Sequence, residues 1–484
     1  MAWLTKSRFL AGLQCPKRLW FEANQPLEQP ARERLSLWQG RAFDLVVREM
    51  QPGVVISRDR GMPSAIAETT RVMNAGGAPV LYQPAFRHGD LAVIADVLRR
   101  GRKPFELVEV KASTKVKDEH LPDATFQTLV LRGAKVPVSS VFIGHVDNTF
   151  VLKRPGDYAG LLAEEDVTEA VEASLHAIAD QASEQLSIMA SPEVPDIAMG
   201  PQCTRPYECP FIARCTTERG GVPEYPVELL PRGGKHVELL RAEGFEDLRR
   251  VPADRLTNDK HRRVHAATVS GTPYFDAAAT LALRGLPYPR AYLDFETMGY
   301  AVPQVIGTRP YEQWPFQWSL HVEESPGEIR HAEFLDVDSY GDFERLASAL
   351  LEAMPPSGPV FVYQAALERG VLQRLANRLP AHAARLGGVA ERLFDLLPVA
   401  QEAYYHRDMQ GSWSIKSVLP TIAPELDYEG LEEVREGEAA QLAFIQLRAK
   451  EISAARREQL LKALREYCQR DTWGMVVLRR FLSR

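Results

Sequence analysis

Cysteine is scarce in this chain. Five in 484 residues, unevenly placed, do not make a secreted disulfide framework. Cys15 stands alone near the N-terminus, Cys203, Cys209 and Cys215 form a tight group, and Cys468 stands alone near the end. Long apolar runs are missing too, and nothing reaches the ~18 uncharged apolar residues of a membrane span. Lys6 and Arg8 interrupt the opening stretch, which excludes the apolar core of a signal peptide, and Leu13-Gln14 before Cys15 is a poor lipoprotein cleavage site. The expected compartment is therefore the cytoplasm, with no membrane partner. Nor is there a basic excess: the formal charge of −6 excludes a uniformly basic nucleic-acid-coating protein, though not a basic groove within an acidic chain. What is present is an ordinary globular composition, 45% apolar and 25% charged, in a chain long enough for two or three domains.

Two α/β patterns follow one another without an internal repeat, so two different folds are expected. In the first, residues 79–86, 91–98 and 105–111 read as an antiparallel meander, broken by His88-Gly-Asp90 and by the basic turn 99–104. A helix over 118–133, a strand over 138–145 and a long helix over 163–190 come next, the last stopped by Pro192 and Pro195. Glycine and proline cluster at 220–235, which marks a boundary. Residues 236–284 look helical. The second pattern starts with a strand at 292–295 and continues through strands near 316–323, 329–336 and 360–363 into helices.

The first candidate site lies in the first pattern. Side chains alternate along a strand, so Glu109 and Lys111 share a face, and hairpin pairing brings Asp96 beside them. Two carboxylates suit a hard divalent cation, and the lysine suits orienting a water or stabilising negative charge, the parts needed for phosphodiester hydrolysis. A surface hairpin with alternating charges has the same local pattern. Gln127 lies one helix downstream. With Cys15 and the trio Cys203, Cys209, Cys215, these residues resemble a RecB-type PD-(D/E)xK nuclease with an iron–sulfur cluster, as in the CRISPR-associated members. The resemblance implies a restriction-endonuclease-like domain over 1–222, with Asp96 and Glu109 as metal ligands and Lys111 and Gln127 in the active site. It also implies a [4Fe–4S] cluster on the four cysteines. Such a cluster would close a loop whose first two ligands lie 188 positions apart, where closure entropy is large. Four thiolates also suit zinc, but the C-x5-C-x5-C spacing is wider than that of zinc knuckles. One departure stands out: the family's metal-binding His in an early helix is replaced by Phe43, with Asp44 beside it as a substitute ligand.

The second candidate site joins distant segments. Asp294 and Glu296 share a face of one strand, and Tyr467 and Asp471 lie on one side of a helix. Carboxylates so placed could hold two metal ions, with the tyrosine hydroxyl orienting water. These motifs resemble the DEDD exonucleases of RNase H-like fold in their tyrosine-bearing subclass. The resemblance spans 286–484 and implies Glu368 in place of the usual Asp as a further ligand, and Mg2+ or Mn2+ as the ions. Asp395 fits either a metal-binding or a helix-end role, and the stretch 411–419 fits a phosphate contact. Cys468 reads as a packing residue. Residues 223–285 would be a helical connector, in which 243–245 and 249–255 suggest a helix-hairpin-helix-like grip on a phosphate backbone; a plain spacer is the alternative. Arg99, Arg100, Arg102, Lys103, Lys115 and Lys117 form a basic cluster near the first site that would meet phosphates.

The expectation is thus an α/β, two-module, metal-dependent nuclease acting on DNA ends or single strands in repair, degradation or defence. RNA is an alternative substrate. So is a division of labour in which one module only clamps nucleic acid, and Phe43 points to the N-terminal one.

Overall fold

The computed structural model describes residues 3–27, 34–100, 105–431 and 433–484. The chain forms two compact units, Met1–Gly221 with Gly299–Glu312, and Val222–Met298 with Gln313–Arg484. Each mixes helices with mixed parallel and antiparallel sheets. The expected connector segment counts with the second unit.

The first unit opens with β1 (Leu4–Thr5), α1 (Lys6–Gln14) and α2 (Pro16–Asn24). Pro16 lacks an N–H and disfavours helical backbone in the residue before it, so Cys15 is extended, with φ −162°, and the two helices part there. After α3 (Leu35–Met50), β2 (Val54–Val55) and α4 (Met62–Ala75) come β3 (Val80–Tyr82), β4 (Ala85–His88), β5 (Leu91–Ile94), β6 (Val97–Arg99) and β7 (Phe105–Lys111). The expected meander is therefore split. Gln83, at φ 55°, and Pro84 break its first strand, and Ala95-Asp96 break its second. Backbone bonds from Gln83 to Asp96 and from Ala95 to Pro84, each 3.0 Å, lock the two kinks opposite one another. One half of the hairpin joins the sheet β2-β3-β6-β7-β8-β9; the other joins β1-β5-β4. Asp96 thus sits at a sheet-to-sheet corner and not within a strand.

α5 (His120–Gly133) is the crossover from β7 to its parallel neighbour β8 (Val138–Val146), and β9 (Leu162–Asp166) and α6 (Thr168–Ala190) follow. Phe9 of α1 stacks on Phe126 of α5 at 4.5 Å, inside a core that also holds Leu19, Leu107 and Ile143. α7 (Ile212–Glu218) carries the last cysteine of the trio.

The second unit begins with α8 (Gly234–Ala242), α9 (Asp259–Ser270) and β10 (Tyr274–Phe275). In the helix-hairpin-helix candidate, Arg249 is bound to Asp247 and Glu224, and Arg255 to Glu243, so both guanidiniums face carboxylates of their own chain. β11 (Arg290–Met298), β12 (Trp314–Ser325) and β13 (Glu328–Leu335) are antiparallel neighbours; α10 (Phe343–Ala353), β14 (Val360–Val362), α11 (Ala366–Arg378), α12 (Ala383–Glu391) and β15 (Leu393–Asp395) follow. The sheet order is β13-β12-β11-β14-β15, with β14 and β15 parallel to β11. β11 is therefore central and covered on both faces, which explains its almost uninterrupted burial. α13 (Leu396–Ala403), β16 (Tyr404–Tyr405), α14 (Ile415–Ile422) and α15 (Gly437–Leu447) lead to α16 (Ala454–Leu482), which is started by the Ser453 side chain accepting from the Arg456 N–H and packs on β11 and β12. Among the described residues no helix is long and apolar enough to cross a membrane.

Candidate functional site

In the first unit β7 brings Glu109 and Lys111 to one place, and α5 adds Gln127 and Asp123. Glu109 is fully buried; its Oε1 accepts from Lys111 Nζ at 2.6 Å and Lys6 Nζ at 2.8 Å, and its Oε2 from Gln127 Nε2 at 2.5 Å. Asp123, also buried, accepts from Lys111 at 2.5 Å and from Gln127 at 2.9 Å, with Lys6 3.7 Å away. Asp96 accepts from the Val110 backbone N–H at 2.9 Å, which ties the corner to the strand carrying Glu109. Burial pushes the Glu109 carboxyl up, but the two ammoniums outweigh it and hold the group well below the usual carboxylate range. Asp96, where burial and then the Glu109 charge dominate, is pushed up to about 7.

Lys6 and Asp123 were not singled out from the sequence. Asp123 lies one helical turn before Gln127, a spacing that could have revealed it; Lys6 arrives from α1 with no local signal. Phe43 is fully buried among Val47, Val80, Tyr82 and Val97, and the Asp44 carboxylate is engaged by Arg48, with Gln83 at 3.4 Å. In the basic cluster, Arg99 is bound to Glu106 and Glu164, and Lys117 lies 3.5 Å from Glu119. Arg102 and Lys103 lie outside the described residues.

The four cysteines of the first unit do converge. Cys15, Cys203, Cys209 and Cys215 line one small cavity. Gln14 Nε2 donates to the backbone oxygens of Gln202 and Tyr207, both at 2.7 Å, and Trp20 donates to Ser191 at 2.9 Å, which draws the α1–α2 corner onto the trio. Among the described residues no three of these sulfurs lie within 4.8 Å of one another. Thiolates around one zinc at Zn–S ~2.3 Å would stand closer than that, so the donor set fits a larger group better than a single ion.

In the second unit β11 supplies Asp294 and Glu296, the first turn of α11 supplies Glu368, and α16 supplies Tyr467, Cys468 and Asp471. Ligand atoms of Asp294, Glu296 and Cys468 all fall within 4.8 Å of one another. Cys468 Sγ is 3.7 Å from Asp294 Oδ2, so its expected role as mere packing is incomplete. Tyr428 OH donates to Asp471 Oδ1, and Lys416 Nζ donates to Tyr467 OH at 2.8 Å and to the Arg435 carbonyl at 2.9 Å. A cavity of about 460 Å³ opens here, lined by Asp294, Tyr363, Trp413, Lys416, Tyr467 and Asp471 among others. Asp395 accepts three backbone N–H groups, from Gln364, Ala365 and Leu397, at 2.9–3.0 Å. It fixes the turn after β14 and caps α13, which settles its two sequence readings toward the helix-end role.

Among the described residues none of the four carboxylates has a salt bridge. Burial first, then mutual repulsion, raises Asp294 well above the carboxylate range and Glu296 to about 8. Burial lifts Asp471 to about 6 and Glu368 to about 8. Glu368 is 2% exposed, and among the described residues its Oε2 has no hydrogen-bond partner. Buried like charges without a cation are costly, so this donor set fits hard or borderline divalent ions.

Residues 291–414 match a family described as a domain of unknown function, DUF2779. That stretch holds Asp294, Glu296, Glu368 and Asp395, and ends before α16. A 214-residue stretch is 25% identical to the uncharacterized protein MG366 homolog of Mycoplasma pneumoniae, covering 40% of this chain. The chain spans about a third, 32%, of that relative's length.

Proposed function

We propose that this protein is a metal-dependent nuclease that hydrolyses phosphodiester bonds of DNA at ends or in single strands, with an RNase H-like DEDD exonuclease unit following a PD-(D/E)xK-type unit. The observation that carries this reading is the convergence of Asp294, Glu296, Glu368 and Asp471 from three elements without a salt-bridge partner among the described residues, with Asp294 and Asp471 lining an open cavity. Bound Mg2+ or Mn2+ would supply an acidified water and charge stabilisation at the leaving oxygen. The chain's own groups do the rest. Tyr467, held by Lys416, orients a hydroxyl toward the attacking position, and the Lys416 ammonium offsets phosphate charge.

In the first unit the four cysteines are proposed to hold a [4Fe–4S] cluster as a structural staple. Anaerobically purified protein should be brown and contain iron and acid-labile sulfide; a colourless protein carrying only zinc would refute this. A second reading, favoured by buried Phe43 and by Lys6 on Glu109, has the first unit hold nucleic acid without cutting it.

Variants at Lys111 and at Asp294 with Glu296, assayed separately on single-stranded DNA, duplex DNA and RNA, test these assignments. Cleavage that survives loss of both sites would end the nuclease proposal, and a preference for RNA would replace DNA as the substrate.

A further inference from the structure

We infer that Cys468 is a metal ligand, making the second unit's carboxylate centre a mixed oxygen–sulfur site that favours a thiophilic divalent ion such as Zn2+ or Co2+ over Mg2+. The inference rests on the proposal that this centre holds a metal, and it specifies which chemistry of metal.

Three observations support it. The sulfur shares a space no wider than 4.8 Å with one oxygen each of Asp294 and Glu296, so a single ion could be reached by all three. Cys468 is three residues before Asp471 on α16, hence on the same helix face, and it is fully buried, with its thiol 3.7 Å from the Asp294 carboxylate. Independently, Glu368 brings a buried oxygen without a hydrogen-bond partner among the described residues into the same electrostatic neighbourhood, where its charge opposes those of Asp294 and Glu296. An unsatisfied buried acceptor of this kind is what a site shaped around a cation leaves behind when the cation is not counted.

Ligand softness then decides among ions. Carboxylate and water ligands alone suit Mg2+ and Mn2+, whereas a thiolate shifts the balance toward Zn2+ and Co2+. On ligation the thiol proton passes to solvent and the sulfur lone pair enters the metal–sulfur bond, with no change of oxidation state. A serine at 468 would keep the size of the side chain but remove this preference.

The test is spectroscopic. Full-length protein with its cluster cysteines intact is titrated with Co2+ under anaerobic conditions, alongside C468S, C468A and D294N. The wild-type minus C468S difference should show a near-ultraviolet thiolate-to-cobalt band, and D294N should weaken that band because it shares the ion. Zn2+ affinity should fall about tenfold or more in C468S and C468A, while Mg2+ affinity changes by less than about twofold. A flat difference spectrum at saturating Co2+, or unchanged Zn2+ affinity in both cysteine variants with native circular dichroism, overturns the assignment. Neither readout needs cleavage. A protein with the band and no nuclease activity would remove the nuclease reading alone, and an active protein without the band would remove the thiol ligand alone.

Discussion

The two candidate sites handle buried negative charge in opposite ways. In the first unit, Glu109 and Asp123 are matched by Lys6, Lys111 and Gln127, so the cluster is close to charge balance on its own. In the second, Asp294, Glu296, Glu368 and Asp471 press against one another, with Lys416 bound to a tyrosine and not to a carboxylate. The first arrangement is stable as it stands. The second has no such internal match among the described residues, and it is the cluster on which the proposed metal site rests.

The largest effect that would sharpen this contrast is on turnover. Asp294→Asn with Glu296→Gln should lower cleavage on the order of 10³-fold or more in a single-turnover assay, with the fold intact by circular dichroism. If Lys111→Met is equally damaging, the balanced site also cuts, and the contrast fails as a guide to activity. Next come stabilities of opposite sign. Lys111→Met removes one of the two ammoniums facing Glu109 and Asp123, leaving Lys6 and Gln127, and should cost about 3 kcal/mol in urea unfolding, whereas Glu296→Gln should stabilise the metal-free protein by about 1 kcal/mol. Two losses of equal size would break the comparison.

A third test uses pH. Carboxyls raised in the fold bind more protons folded than unfolded between their unfolded values, near 4–4.5, and their folded values of about 6 for Asp471 and about 8 for Glu296 and Glu368. In that window, stability of the metal-free second unit should fall as pH rises, and divalent-ion affinity should increase. Glu109 is depressed, so its contribution is complete above its unfolded value and is lost as pH falls through its folded one. Thermal melts from pH 4 to 9, with and without saturating metal, should show the downward slope only without metal. The smallest effect is expected from Tyr428→Phe, which removes one hydrogen bond to Asp471 and should change metal affinity by about threefold to tenfold in calorimetry.

Much of this was readable in the sequence, for reasons that also explain what was not. Period-two alternation placed Glu109 beside Lys111 and Asp294 beside Glu296, and the four-residue helical step placed Tyr467 with Asp471. The four cysteines could be grouped by motif. Contacts set by tertiary packing left no local trace: Lys6 reaches Glu109 across 103 positions, and Tyr428 reaches Asp471 across 43. The corner at Asp96 was hidden because β-rich sequence on both sides reads as one strand, while the break depends on the left-handed Gln83 opposite. The nearness of Cys468 to Asp294 was not read because a search for thiol partners ignores oxygen ones.

Residues 299–312 follow β11 in sequence yet pack in the first unit, where Ala301 and Val302 complete the cluster around Phe43, Val47 and Tyr82, and Gln39 binds the backbone of Gly299 and Ala301. During synthesis, then, the core around Phe9 and Phe126 is complete in sequence once residue 221 leaves the ribosome, but the cluster around Phe43 still lacks Ala301 and Val302. That cluster waits for another stretch of polypeptide that includes β11, so the completion of the two halves overlaps in time although their sequences are almost entirely consecutive.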